Sequence, residues 1–173
     1  MSKVAALAVV CVALLTGAGA WFVWIAKTRG FSARDKPGSV EAYLARRARG
    51  LATPAGARNL KNPLEATPLN IAEARDHFAD HCAICHANNG SGKTEIGGNM
   101  YPPAPDMRIA DTQNLTDGEL LYIVRNGIRF TGMPGWGGED EDNWKLVLFI
   151  RHLPQLSPQE LDLMKEVNGQ GPQ

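Results

Sequence analysis

Cysteine is nearly absent from this sequence, with three in 173 residues. Cys11 lies inside a long apolar run, so only Cys82 and Cys85 are available for chemistry, and one pair cannot build a disulfide scaffold. There is no Gly-rich phosphate loop and no nucleophile–base pair, so kinase and hydrolase chemistry has no foothold. No stretch interleaves basic residues with aromatics, and the C-terminal part is acidic, which argues against a nucleic-acid partner. No second C-x-x-C exists to complete a four-ligand zinc site. Strand-type alternation is almost missing beyond residue 70, so a thioredoxin-like dithiol lacks its βαβ setting.

Net charge is also lacking, at 18 basic against 18 acidic residues, but the balance hides an asymmetry. Residues 27–69 hold nine Lys/Arg and three Asp/Glu, whereas residues 70–173 hold eight and fifteen. The split describes a basic stalk and an acidic head.

What is present begins with "VAALAVVCVALLTGAGAWFVWIA", Val4 to Ala26, without a charge. As a helix it measures about 34 Å, enough for a hydrocarbon core of about 30 Å. Trp21, Phe22 and Trp24 sit at its far end, where an aromatic belt belongs. The competing reading is a secretory signal cleaved after Ala18-Gly19-Ala20. Such cleavage would leave a mature chain beginning WFVWIA, so an uncleaved anchor is the preferred expectation. Cys11 fails as a lipoprotein cysteine because bulky Val10 precedes it. Lys27, Arg29, Arg34 and Lys36 follow the segment, and the positive-inside rule alone would leave the C-terminal domain in the cytoplasm.

Residues 27–69 read as a stalk carrying one short helix, 39–50, with Val40, Tyr43 and Leu44 on one side and a stop at Gly50. Arg46, Arg47 and Arg49 form a solvated face or, alternatively, a contact for anionic headgroups. Residues 51–69, with Pro54, Pro63 and Pro68, read as a linker long enough to let the head swing. The head is expected to be all-α. Asn70 with Glu73 suggests an N-cap, while Thr116/Glu119 and Ser157/Glu160 fit the capping box. Gly127, Pro154 and Gly169 supply the stops, giving helices near 71–82, 117–126, 141–153 and 158–168. The long irregular stretches between them, 87–115 and 127–140, are of the kind that wraps something.

Cys82-Ala83-Ile84-Cys85-His86 has the spacing of c-type haem attachment, with two thioether positions and an adjacent histidine beneath the iron. Chance would produce it in roughly one such sequence in a thousand. Met133, 47 residues later in "TGMPGW", offers a thioether for the sixth position, with Met100 and Met107 as rivals. His77, His81 and His152 read as surface or interhelix residues.

These motifs, with the helix carrying Phe78, "YPPAPDM", "LTDGELLYIVRNGI" and "NWKLVLFIRHL", resemble the class I monohaem c-type cytochromes in a bacterial membrane-anchored form, over about residues 70–153. The resemblance implies the class I cytochrome c fold around one covalently bound c-type haem, with His86 and Met133 as axial ligands. It implies an aromatic at the crossing of the first and last family helices, where Phe78 would meet one of Trp144, Leu148 or Phe149. It also implies a proline carbonyl accepting from the proximal histidine, matched by Pro103 or Pro102, although "YPPAPDM" also serves as a simple rigid loop. Covalent haem attachment takes place outside the cytoplasmic membrane in such bacteria. The resemblance therefore outweighs the charge rule, for which the short N-terminal tail gives little to count.

The expected organisation is an anchor at 1–26 in the lipid bilayer, a stalk at 27–69, a haem domain at 70–153 on the periplasmic side, and a helical extension at 154–173. The expected function is a tethered one-electron carrier between a redox-protein donor and acceptor, such as a dehydrogenase, reductase or oxidase, and not an enzyme. The rivals are a fixed haem subunit of a respiratory or photosynthetic complex, and a haem enzyme or gas sensor with a labile methionine. The acidic run Glu139 to Asp142 reads as a helix-dipole charge set or as a patch that steers a basic partner.

Overall fold

Residues 3–29 are apolar almost throughout, and they form one long helix. The computed structural model describes residues 2–169 and divides the chain into two units, at 1–35 and 36–173. Residues 1 and 170–173 of the expected anchor and extension lie outside the described residues.

In the first unit, α1 (Lys3–Arg29) is capped by Ser2, whose hydroxyl accepts from the Ala5 N–H, and ends at Gly30 with φ 69°. None of its residues is buried. Thr16 and Thr28 donate to the Val12 and Trp24 carbonyls at 2.9 and 2.8 Å, so both hydroxyls within the helix are satisfied by its own backbone. Among the described residues it is the one helix long and apolar enough to cross a membrane.

The second unit is all-α, with no strand among the described residues. It opens with α2 (Ser39–Ala52), which runs past the expected stop at Gly50. Termination comes instead at Thr53, where Pro54 forces the preceding residue out of helical geometry (φ −74°, ψ 120°). A single turn, α3 (Ala55–Arg58), follows where a free linker was expected. Thr116 Oγ1 donates to the Arg58 carbonyl (3.0 Å), Asn62 Nδ2 donates to the Trp144 carbonyl (2.9 Å), and Leu64 packs on the core. Residues 55–64 are thereby fastened to the head, and a random-coil length does not describe them.

The next helix, α4 (Pro68–His77), starts earlier than Asn70 suggested. Thr67 is the N-cap, accepting from the Asn70 N–H at 3.2 Å, and Pro68 sets φ for the first turn. Its axis continues through a π turn, Phe78–Cys82, into α5 (Ala83–His86). Two further single turns, α6 (Glu95–Gly98) and α7 (Ala110–Gln113), interrupt the long loop. Then come α8 (Asp117–Asn126), α9 (Asp140–His152), a 3-10 turn at Leu153–Gln155, and α10 (Pro158–Asn168). Both capping boxes form, at Thr116/Glu119 and Ser157/Glu160.

The core lies where α4 and its π turn meet α9. Phe78 and Phe149 are fully buried there, with ring centroids 5.2 Å apart and planes tilted by 54°. Of the three expected partners for Phe78, Phe149 is the one in ring contact. Helix α10 closes the far side through fully buried Met164 and through Asn168, which donates to the Ala79 carbonyl at 2.9 Å.

Candidate cofactor-attachment site

Cys82 ends the π turn, and Cys85 and His86 occupy the following α-turn, so two free thiols stand one helical turn apart with the imidazole next in line. Ala87 then adopts φ 62° while fully buried, a strained conformation for a non-glycine residue that ends the helix immediately after His86.

The backbone of this turn is gripped from outside. The Cys85 carbonyl accepts from Thr94 Oγ1 (3.2 Å), and the His86 carbonyl accepts from the Gly92 N–H (2.9 Å). A Cβ on Gly97 would lie 2.0 Å from the Cys85 carbonyl oxygen, and one on Gly92 would lie 2.3 Å from the Ala104 oxygen. Only glycine lets the chain approach so closely.

His86 Nδ1 is buried and makes no well-formed hydrogen bond. Burial lowers the His86 pKa, in the direction of the neutral imidazole a ligand needs, and the Pro105 carbonyl partly offsets this. The backbone acceptor that acts on His86 is that of Pro105, in the same proline-rich loop as the expected Pro103. Two hydrogen bonds set the loop register: Ala104 N–H to the Gly97 carbonyl and Met107 N–H to the Gly90 carbonyl, both 2.8 Å. They bracket Pro105.

Burial pushes the Cys82 thiol up to about 12, with the Cys85 sulfur adding to the shift, and burial also raises Cys85. Redox-switch cysteines work through a depressed pKa, so these thiols are the opposite of a reactive dithiol. His77 and His81 stand at an H-x-x-x-H spacing on the same run of helix. Their rings meet edge to face at 4.9 Å, and no three His, Cys, Asp or Glu side chains converge as a metal site among the described residues.

Met133 sits half-buried on a closely tied loop. Its carbonyl accepts from the Ile128 N–H (3.1 Å), and its N–H donates to Thr131 Oγ1 (3.1 Å), which itself donates to the Ile128 carbonyl (2.8 Å). Gly127, at φ 68°, allows this: a Cβ there would meet the backbone of Pro134 and Gly135 at 2.5 Å. The loop lies beside the attachment helix, because Trp136 meets the His81 ring at 5.8 Å. Of the rival methionines, Met107 is a core residue, 7% exposed. Met100 places its sulfur against Gly132, 2.1 Å from where a Cβ would be, and so packs next to Met133. His152 pairs with Glu160 at 2.7 Å.

Ile84 lies between the two cysteines, and Ile96 lies on α6; both are about half exposed. Phe130 and Trp136 on the Met133 loop are 94% and 44% exposed. Two thiols on one turn, an unsatisfied buried imidazole and exposed apolar side chains fit a flat, covalently held haem. The residues missed from sequence were Pro105, Thr94 and the Gly92/Gly97 clasp. The glycine density of "NNGSGKTEIGG" was the signal that marked them.

Comparison with known proteins covers this same region. Residues 69–150 match the family described as "Cytochrome C oxidase, cbb3-type, subunit III". The chain is also similar to the thiosulfate dehydrogenase of Stutzerimonas stutzeri (strain A1501), 26% identical over 87 residues, which is 47% of this chain. The match spans 27% of that relative's length.

Proposed function

We propose that this chain, whose residues 69–150 are a c-type cytochrome domain, works as a membrane-tethered one-electron carrier with a single haem held by Cys82, Cys85, His86 and Met133. Haem-based electron transfer follows from the domain itself. The observation that supports the finer reading is the attachment turn, where buried His86 Nδ1 has no well-formed hydrogen bond and a glycine-lined backbone clasp holds the turn.

Bound haem supplies a reversible one-electron couple. The chain does the rest. Cys82 and Cys85 would hold the ring through thioethers, and neutral His86 would supply a nitrogen ligand whose orientation the Pro105 side of the loop sets. Met133 would supply a thioether ligand from a loop whose backbone Thr131 and Ile128 hold in place. With His86 and Met133 both holding the iron, no position would be open to substrate, and the group would supply outer-sphere electron transfer. Exposed Phe130 and Trp136, on the Met133 loop, would offer apolar contact to a redox protein. Helix α1 would hold the protein in the cytoplasmic membrane, with the haem domain on its extracytoplasmic side.

A fixed subunit of an oxidoreductase complex is the second reading, favoured by the matched family and relative, which are an oxidase subunit and a dehydrogenase. Co-purification of a catalytic partner through detergent extraction separates it from a mobile carrier.

The test is the visible spectrum of dithionite-reduced protein before and after carbon monoxide. The expected spectrum is low-spin and unaltered by the gas. Met133→Ala should create a carbon monoxide complex, whereas Met100→Ala should not. A wild-type protein that binds the gas would overturn closed His/Met ligation and favour the sensor or enzyme reading.

A further inference from the structure

Helix α2 is amphipathic, and its apolar face is turned away from the domain that carries it. At 3.6 residues per turn, Val40, Tyr43, Leu44, Arg47 and Leu51 share a sector of about 100°. Val40 is 70% exposed, Tyr43 52%, Leu44 59% and Leu51 87%. The head holds α2 from outside that sector. Arg46 pairs with Asp111 at 3.8 Å, Tyr101 donates to Glu41, and Ala42 and Arg49 are half-buried.

We propose that this face is an interfacial membrane-binding surface for an anionic lipid bilayer, and that α2 is the element that fixes the head's orientation on it. Charge identifies the occupant. Arg47 lies within the apolar stripe and Arg46 flanks it, with the Arg47 guanidinium 5.2 Å over the Tyr43 ring, which is the pattern of a helix lying in a headgroup layer. The rest of the head, residues 70–173, has fifteen acidic against eight basic residues and would be repelled by the same surface. Connectivity supplies the rest. This inference rests on α1 being the anchor, and only residues 30–38 separate α1 from α2, a reach of about 35 Å at most. Because Glu41 and Arg46 grip Tyr101 and Asp111, the loop that carries Met100 and Pro105 would inherit the orientation of α2.

The experiment uses the full-length haem-loaded protein with Cys11→Ser, carrying one nitroxide label at Val40→Cys, Leu44→Cys, Leu51→Cys or Ala45→Cys. Each is reconstituted in vesicles of phosphatidylcholine alone or of an equal mixture with phosphatidylglycerol. Power saturation then compares accessibility to oxygen and to a water-soluble nickel chelate. At 40, 44 and 51 the oxygen-to-nickel ratio should be several-fold above that at 45, and the contrast should be larger with phosphatidylglycerol. Water-like values at all four positions in protein that floats with the vesicles would overturn this proposal and leave the anchor standing. Protein that fails to float would remove both. Shielding that appears with spin–spin broadening and disappears on dilution in lipid would show a second copy on the stripe and overturn the bilayer as occupant.

Discussion

Gly97 shows how much one hydrogen atom in place of a methyl decides at this site. A Cβ there would meet the Cys85 carbonyl at 2.0 Å, and that carbonyl belongs to backbone that cannot rotate away. Gly97→Ala should therefore cost about 3 kcal/mol, the upper end for overpacking. The expected result is a lower guanidinium midpoint with an unchanged slope. Gly98→Ala is the matched control, since nothing lies within 4 Å of its added Cβ, and its midpoint should hold or rise slightly. Equal loss at both positions would show that the clasp around Cys85 is not the cause. The acidic run is also decided residue by residue. Glu139 is the N-cap position of α9, and Asp140 to Asp142 form its first turn. Asp140 pairs with Arg125 at 2.8 Å and Glu141 with Lys145 at 2.9 Å, which favours the dipole-complementing role over partner steering.

At the scale of elements, two contacts hold the helices together. The Phe78–Phe149 pair seals the crossing of the π turn after α4 with α9, both rings being fully buried. Phe149→Ala should cost about 3–5 kcal/mol and lower the thermal midpoint accordingly. Helix α10 is attached through Glu160, which closes its capping box and meets His152 at 2.7 Å. Burial alone would raise the Glu160 pKa, but the Ser157 hydroxyl and N–H and then His152 outweigh it, and the net shift is downward. A depressed carboxylate contributes stability above the unfolded pKa of about 4.3 and loses it as pH falls through the folded value. Glu160→Gln keeps a side chain able to close the box but does not titrate. Wild type should exceed it by about 1 kcal/mol near neutral pH, the usual gain of a charged over a neutral hydrogen bond. That difference should shrink below pH about 4. Denaturant titrations across that range check it, and a difference independent of pH would remove the charged cap as the source.

For the whole molecule, the asymmetry of charge becomes spatially meaningful. The basic stretch includes α2, and the acidic residues belong to the domain beyond residue 69. Under the anchored reading, intact-mass measurement of the membrane fraction should give the full chain plus one haem. Loss of the first twenty residues would instead establish cleavage after Ala20 and remove the tether. The stalk changes character at this scale as well. Its last part is docked through Arg58, Asn62 and Leu64, and a Cβ on Gly118 would lie 1.8 Å from the Ala57 oxygen. The head therefore includes part of what sequence assigned to the linker.

Local chemistry was legible without coordinates. The attachment turn is an i, i+3, i+4 pattern, the apolar N-terminal run is continuous, and both capping boxes are set by side chains three residues apart. The start of α4 is written locally too, in Thr67-Pro68 and not in the Asn70/Glu73 spacing. Other features depend on segments distant in sequence, and no spacing rule reaches them. Pro105 is set beside His86 because hydrogen bonds from the Ala104 and Met107 N–H groups to the Gly97 and Gly90 carbonyls fix the loop register. Phe149 rather than Trp144 or Leu148 meets Phe78 because the crossing of two helices selects one rotational face. The outward apolar face of α2 was visible as a pattern, but only the contacts at Tyr101 and Asp111 decide which way it points. Bonds and caps are decided over a few residues, while register and facing are decided by packing between elements far apart in the chain.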